Sequence, residues 1–237
     1  MKRNRFTIIE LMIVVSVIAI LIGVLLPTLE KARQAAIAIS CLNNVKQCML
    51  GIQSYANDSN GILNTCENQN TSTGAGYGAW ARLLTVNSYL PPGVVYCPLL
   101  RAEKTDTSRT KTLGILMAQN GWTKAWLKKE KIQNLFGKEI CYWRDPYFGY
   151  DLFRIKNPSR FPLLADTCSV NPDTGEKTGN RQFCPGTDAG DYKLSLHHRS
   201  TAVCGFPDGH AERLGISWFQ AMQFKAVLVD YRPLVLE

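Results

Sequence analysis

Residues 6–26 read Phe-Thr-Ile-Ile-Glu-Leu-Met-Ile-Val-Val-Ser-Val-Ile-Ala-Ile-Leu-Ile-Gly-Val-Leu-Leu, an apolar stretch in which Glu10 is the sole ionisable side chain. As a helix it is about 31 Å long, close to the hydrocarbon thickness of a bilayer. Lys2, Arg3 and Arg5 precede it and a long polar sequence follows. That asymmetry places the N-terminus in the cytoplasm and the bulk of the chain outside. A secretory signal ends in a small-residue cleavage site soon after its apolar core, whereas Pro27-Thr28-Leu29-Glu30-Lys31 follows here. Cys41 lies too far beyond Leu26 for a lipoprotein signal.

A carboxylate in an apolar span costs a few kcal/mol (~3) and marks a partner or a site. The basic leader, Phe6-Thr7-Ile8-Ile9-Glu10 and the aliphatic run after it resemble the prepilins of type IV pili and type II secretion systems. The resemblance implies that a prepilin peptidase cuts between Arg5 and Phe6 and methylates the new amine. Arg5 stands where such families usually carry Gly or Ala, and Pro27 matches a proline that they often carry. Glu10 of an incoming subunit can then neutralise the Phe6 amine of its neighbour, since a buried charge is tolerated when paired. Two other readings stay open: a pair within one subunit, four residues apart on one helix face, and solvation among the cytoplasmic headgroups.

Beyond Pro27, Leu29, Ala32, Ala36, Ile39, Leu42, Val45, Met49, Ile52 and Tyr55 recur at three- and four-residue steps. This predicts one amphipathic helical face, stopped by Asn57-Asp58-Ser59-Asn60-Gly61. Pro27 should kink the helix without ending it, giving a helix of about 75 Å. The expected organisation is a leader over 1–5, a transmembrane helix over 6–26, an amphipathic stalk over 27–58 and an exported domain over 59–237. The fold class is α+β, with the long pilin helix packed on a small antiparallel β-sheet domain. Helical character is expected over Thr123–Phe136, and strands over Phe161–Ala165 and Ala202–Phe206. Pro207-Asp208-Gly209-His210 is a hairpin turn with Ala211–Leu214 returning. Trp218–Val229 is an amphipathic cap, and 171–191, rich in Gly, Asn, Asp and Pro, is a long exposed loop.

His198, nine further residues, then Asp208-Gly209 is similar to the C-terminal signature of a large group of bacterial pilin-like proteins. Cys41-Leu-Asn-Asn-Val-Lys-Gln47 and Tyr96-Cys97-Pro98 also look like that group, and on this resemblance a Cys41–Cys97 disulfide is expected. Eight cysteines in an exported chain suggest disulfides, with 105 possible pairings. Cys41 and Cys48 share a helix face about 10.5 Å apart along the axis, too far to bridge. Zinc is disfavoured because no CxxC pair exists. Asp166, His198, Asp208 and His210 could converge on a metal, but the Asp-Gly turn with His198 buttressing it by hydrogen bonds is preferred. The spacing of Asp173, Asp188 and Asp191 does not match a continuous calcium loop. No metal and no cofactor are therefore expected.

Gly74-Ala-Gly-Tyr-Gly78 lacks the strand and Lys of a phosphate loop, and no nucleophile elbow or zinc-protease helix is present, so no enzyme activity is expected. Trp80, Trp122, Trp126, Trp143, Tyr142 and Tyr147 read as core before sugar platform. The net charge of +8 includes the three leader cations, and the rest of the basic residues are scattered apart from Lys128-Lys129-Glu130-Lys131. No nucleic-acid partner is expected. The expected function is a structural subunit of a pilus-like or secretion filament, single-pass in the inner membrane with its domain periplasmic or extracellular. Its partners are the prepilin peptidase, other pilin-like subunits and membrane lipid. The alternative is a membrane-tethered periplasmic binding protein, for instance for glycans.

Overall fold

A computed structural model describes residues 7–67, 80–100, 111–117, 121–144, 147–170, 173–186 and 193–236, with backbone alone at 66–67, 121–122, 142–144 and 147. The chain divides into two units, Met1–Ile37 and Ala38–Glu237.

Helix α1 runs from Ile8 to Asp58 and carries Pro27 within it, so the proline does not end the helix. It opens on a reciprocal cap. The Thr7 amide and hydroxyl both donate to Glu10 Oε2, at 2.8 and 2.7 Å, and the Glu10 amide points back at Thr7 Oγ1 at 3.3 Å. This satisfies donors that a helix start leaves unpaired. Among the described residues α1 is the one helix long and apolar enough to cross a membrane. Its large apolar side chains from Ile8 to Leu29 are all exposed, from 46% at Val14 to 78% at Ile8. β-Branched residues are weak helix formers in water. In hydrocarbon, internal pairing of every backbone group favours a helix.

Within the second unit, α1 buries Ala38, Cys41, Val45, Cys48, Met49, Gly51, Ile52 and Ala56. The predicted stripe shares Val45, Met49 and Ile52 with this face, but Ile39 is exposed. Small residues belong to the true contact line: a Cβ on Gly51 would lie 2.5 Å from Leu90 Cδ2 and 2.9 Å from the Tyr89 carbonyl. The helix ends where Asn60 and Gly61 turn to positive φ, 53° and 84°, a conformation that Gly and Asn accept at low cost.

The remainder is α+β. After α1 come β1 (Ile62–Glu67), α2 (Trp80–Val86), β2 (Gly114–Leu116), α3 (Gly121–Leu127), α4 (Glu130–Phe136), β3 (Cys141–Arg144) and β4 (Tyr147–Asp151). Then follow β5 (Leu164–Ala165), β6 (Ser169–Val170), β7 (Lys177–Thr178), β8 (Gln182–Phe183), β9 (Ser195–Leu196), β10 (Ala202–Gly205) and β11 (Ala211–Leu214). The chain closes with α5 (Ile216–Ala221), β12 (Ala226–Val229) and β13 (Arg232–Val235). One sheet has the order β11-β10-β5-β2-β8 and two more have the orders β1-β4-β3 and β13-β12-β9; β6 pairs with β7. The pairings β2–β8 and β12–β9 are parallel and the rest antiparallel, so two of the sheets are mixed, whereas β1-β4-β3 and β6–β7 are antiparallel as expected.

The β10–β11 hairpin forms around Pro207–His210 as predicted. The helical character expected over Thr123–Phe136 is present, as two helices separated at Lys128 and Lys129. Two expectations change. Trp218–Val229 is the end of α5 followed by strand β12, because Ala226–Leu228 are buried in a sheet. The described part of 171–191 contains β7 and β8, with Phe183 and Cys184 buried. Packing of those two side chains overrides the local Gly and Asn signal. Trp126, Phe136, Phe161 and Tyr150 form a run of ring contacts with centroids 5.1–6.1 Å apart, in edge or tilted geometries that favour aromatic pairs. Trp80 and Trp126 are core residues whose indole N–H groups donate to the carbonyls of Leu113 and Met222. The side chains of Trp122, Tyr142, Trp143 and Tyr147 lie outside the described residues.

Candidate functional site

Five polar side chains converge where α1, the segment after α2, the end of β5 and the turn before β10 meet. Asp166 follows β5 and is tied to β10 twice. Its amide donates to the Val203 carbonyl at 3.0 Å, and its Oδ2 accepts the Val203 amide at 2.7 Å. That pairing fixes the carboxylate pointing inward, toward α1. From α1, Cys41 Sγ donates to Asp166 Oδ1 at 3.2 Å. Cys97 Sγ lies 3.3 Å from Nε2 of both His197 and His198. His198 Nε2 is 3.5 Å from Asp166 Oδ2, and His197 Nε2 is 3.8 Å from Asp166 Oδ1. The ligating atoms of Cys41, Cys97, Asp166 and His198 all lie within 4.8 Å of one another.

The backbone around the histidines is constrained. His198 and Thr201 exchange amide–carbonyl bonds, and Arg213 of β11 donates to the His198 carbonyl and to Thr201 Oγ1, each at 3.0 Å. Arg199 and Ser200, between them, have φ of 56° and 59°, a left-handed conformation that costs L-residues about 1–2 kcal/mol each. His197 Nδ1 is 2.9 Å from Ser195 Oγ. Its ring stacks on Tyr231 with centroids 5.8 Å apart, and Lys177 Nζ lies 3.7 Å over the same tyrosine.

The cluster is dry. Residue exposure is 0% for Cys41, 4% for Cys97, 0% for Asp166 and 3% for His198. Burial pushes Asp166 up to about 7, against the opposing pull of the Val203 amide, the two thiols and Arg213. Burial pulls His197 down to about 3, helped by His198, and His198 down to about 4, helped by Arg213. Cys41 is raised well above the ordinary thiol range, first by its hydrogen bond with Cys97, then by burial and Asp166. Desolvation thus favours the uncharged form of each group. Neutral imidazole is also the form that ligates metals.

The expected site residues fall as follows. Arg5 and Phe6 lie outside the described residues. Glu10 is bonded to Thr7, a contact that the Thr-x-x-Glu spacing encodes and that the sequence reading missed. Cys41 and Cys97, the expected disulfide candidates, come together and stand as thiols that also touch Asp166 and the histidines. Cys48, Cys141, Cys168 and Cys204 are free thiols as well, and Cys184 Sγ accepts from Thr123 Oγ1 at 3.2 Å; the Cys66 side chain lies outside the described residues. Of the four residues weighed for a metal, Asp166 and His198 meet, whereas Asp208 and His210 form their own pair at the hairpin, 2.5 Å apart. His198 turns its ring to the cluster and so does not buttress the Asp208-Gly209 turn. That turn rests on α1: Gln53 Nε2 donates to the Pro207 carbonyl at 2.9 Å, and a Cβ on Gly209, at φ 93°, would sit 2.8 Å from Gln53 Oε1. Asp173 is exposed, and Asp188 and Asp191 lie outside the described residues. Comparison with protein-family models, curated proteins and solved structures finds no match.

Proposed function

We propose that this chain is a pilin-like subunit that is anchored by the apolar half of α1 and polymerises through it. The observation that carries the reading is the exposed apolar helix over Ile8–Leu29 with an acid in its first turn. Such a surface is stable only in lipid or against other apolar helices. The cap from Thr7 gives Glu10 Oε2 two hydrogen bonds but no counter-charge, and among the described residues no cation meets it. A processed Phe6 amine on a neighbouring subunit supplies that charge. Ile39 and Leu50 are exposed at 66% and 59%. They lie about 20° apart around the helix, an apolar line suited to a neighbouring stalk. In this reading the peptidase removes residues 1–5 and the domain lies outside the inner membrane.

Intact mass and terminal sequencing of the chain from its native membrane test the processing, with an N-methylated Phe6 as the expected end. Glu10→Val should insert normally and fail to enter filaments. A chain still starting at Met1, together with wild-type assembly of Glu10→Val, would leave a simple tether.

A further inference from the structure

We propose that Cys41, Cys97, Asp166 and His198 form a structural zinc(II) site that fastens the second half of α1 to the globular domain. This inference does not rest on polymerisation and stands or falls separately from it. It begins with the donor set, two sulfurs, one imidazole nitrogen and one carboxylate oxygen. These are the ligand types that zinc takes, and thiolate sulfur selects against magnesium and calcium.

Geometry is the second argument. Zinc bonds of about 2.0–2.3 Å arranged tetrahedrally put neighbouring ligand atoms about 3.3–3.8 Å apart. The separations found are 3.2 Å for Cys41 Sγ to Asp166 Oδ1, 3.3 Å for Cys97 Sγ to His198 Nε2 and 3.5 Å for His198 Nε2 to Asp166 Oδ2. These contacts involve both Asp166 oxygens; with one oxygen taken as ligand, all four ligand atoms lie within 4.8 Å of one another, so a contraction of about 1 Å brings them to tetrahedral spacing.

The third argument concerns the alternative. A Cys41–Cys97 disulfide would take the thiol proton from the Cys41 bond to Asp166 and would use up the Cys97 sulfur facing His198. It would leave a fully buried carboxylate with the Val203 amide and neutral imidazoles, and loss of a partner by a buried polar group is costly. A divalent ion instead satisfies all four groups at once. The surrounding contacts suit that role. Asp166 Oδ2 is oriented by the Val203 amide, and Arg213 holds the His198 carbonyl. His197 can donate from Nε2 to the Cys97 sulfur while its Nδ1 accepts from Ser195. Such outer contacts orient ligands and moderate a thiolate's charge.

Burial of all four ligands leaves no open coordination position, which fits a structural rather than a catalytic ion. The ligands are far apart in the chain: Cys41 and Asp166 are separated by 125 positions, and Cys97 and His198 by 101. An ion bound here joins four distant segments, so binding and folding are coupled.

The test uses the full-length chain, purified in detergent without chelator or reductant. Elemental analysis should give about one zinc per chain, and alkylation under denaturing conditions should label Cys41 and Cys97 as free thiols. The metal-free chain titrated with cobalt(II) should show tetrahedral visible bands and a thiolate-to-cobalt band in the near ultraviolet. Cys41→Ser should roughly halve the thiolate band, Asp166→Asn should weaken cobalt binding at least about tenfold, and Cys48→Ser should leave both unchanged. Should a ligand variant fail to fold, the wild-type band, with an intensity matching two thiolates, decides the question. A Cys41–Cys97 disulfide in the isolated chain, no cobalt uptake, or cobalt bands indifferent to Cys41→Ser and Cys97→Ser would each overturn the proposal.

Discussion

Gly205→Ala is the most direct probe of how α1 is seated. Gly205, at the end of an interior strand of the five-stranded sheet, pairs with Ala211 on one side and Leu164 on the other. A Cβ built there would lie 2.7 Å from Met49 Cγ, 2.8 Å from Met49 Sδ and 2.8 Å from Val45 Cγ1. Ordinary carbon contacts are about 3.5–4.0 Å, so close to 1 Å of retreat is required. Met49 can rotate away, but Val45 in a helix has essentially one rotamer. The helix must shift or the strand must bend. Overpacking of this kind costs about 1–3 kcal/mol. At about 2–4 °C per kcal/mol for a chain of this size, a cost near 2 kcal/mol lowers Tm by about 4–8 °C. Thermal unfolding of the full-length chain in detergent, followed by near-ultraviolet circular dichroism, measures the shift. Val45→Ala in the same chain should recover part of it, with a coupling of about 0.5–3 kcal/mol in a double-mutant cycle. A Tm within about 1 °C of wild type would refute the seating of Val45 and Met49 on β10.

Three further outcomes follow from the same packing. Ile52→Ala removes a fully buried side chain of α1 and should cost about 2–5 kcal/mol in denaturant unfolding. Gly209→Ala places a Cβ at positive φ against the Gln53 amide and should cost about 1–2 kcal/mol, with Gly209→Asn milder because Asn tolerates that conformation. If the cluster at Cys41 holds an ion, chelation should lower Tm reversibly, with recovery on returning one equivalent of zinc; a Tm indifferent to chelator contradicts that stabilisation.

The long helix and the β10–β11 hairpin were legible because each is a local pattern. A helical repeat sustained past Pro27 and a Pro-Asp-Gly turn between two apolar runs need no distant partner to be recognised. The short strands were not legible. β5, β8 and β9 have two residues each, too few to show alternation, and tertiary pairing alone defines them. The cluster was half visible: Asp166 and His198 drew notice as polar residues near the hairpin, and Cys41 and Cys97 through their neighbours in sequence. Joining the two pairs required knowing that β5 and β10 lie side by side under α1, a non-local fact. The absence of a CxxC pair argued against a metal, yet ligands drawn from four separate segments leave no spacing to read.

Pro27 has a mechanical consequence. Lacking an amide hydrogen, it cannot complete the helical rung to the carbonyl of Gly23, and Gly23 has no side chain to shield that oxygen. Bending stiffness should be lowest over this single turn. Bending of the apolar part of α1 would then concentrate there, within the first unit and some three turns ahead of Ala38.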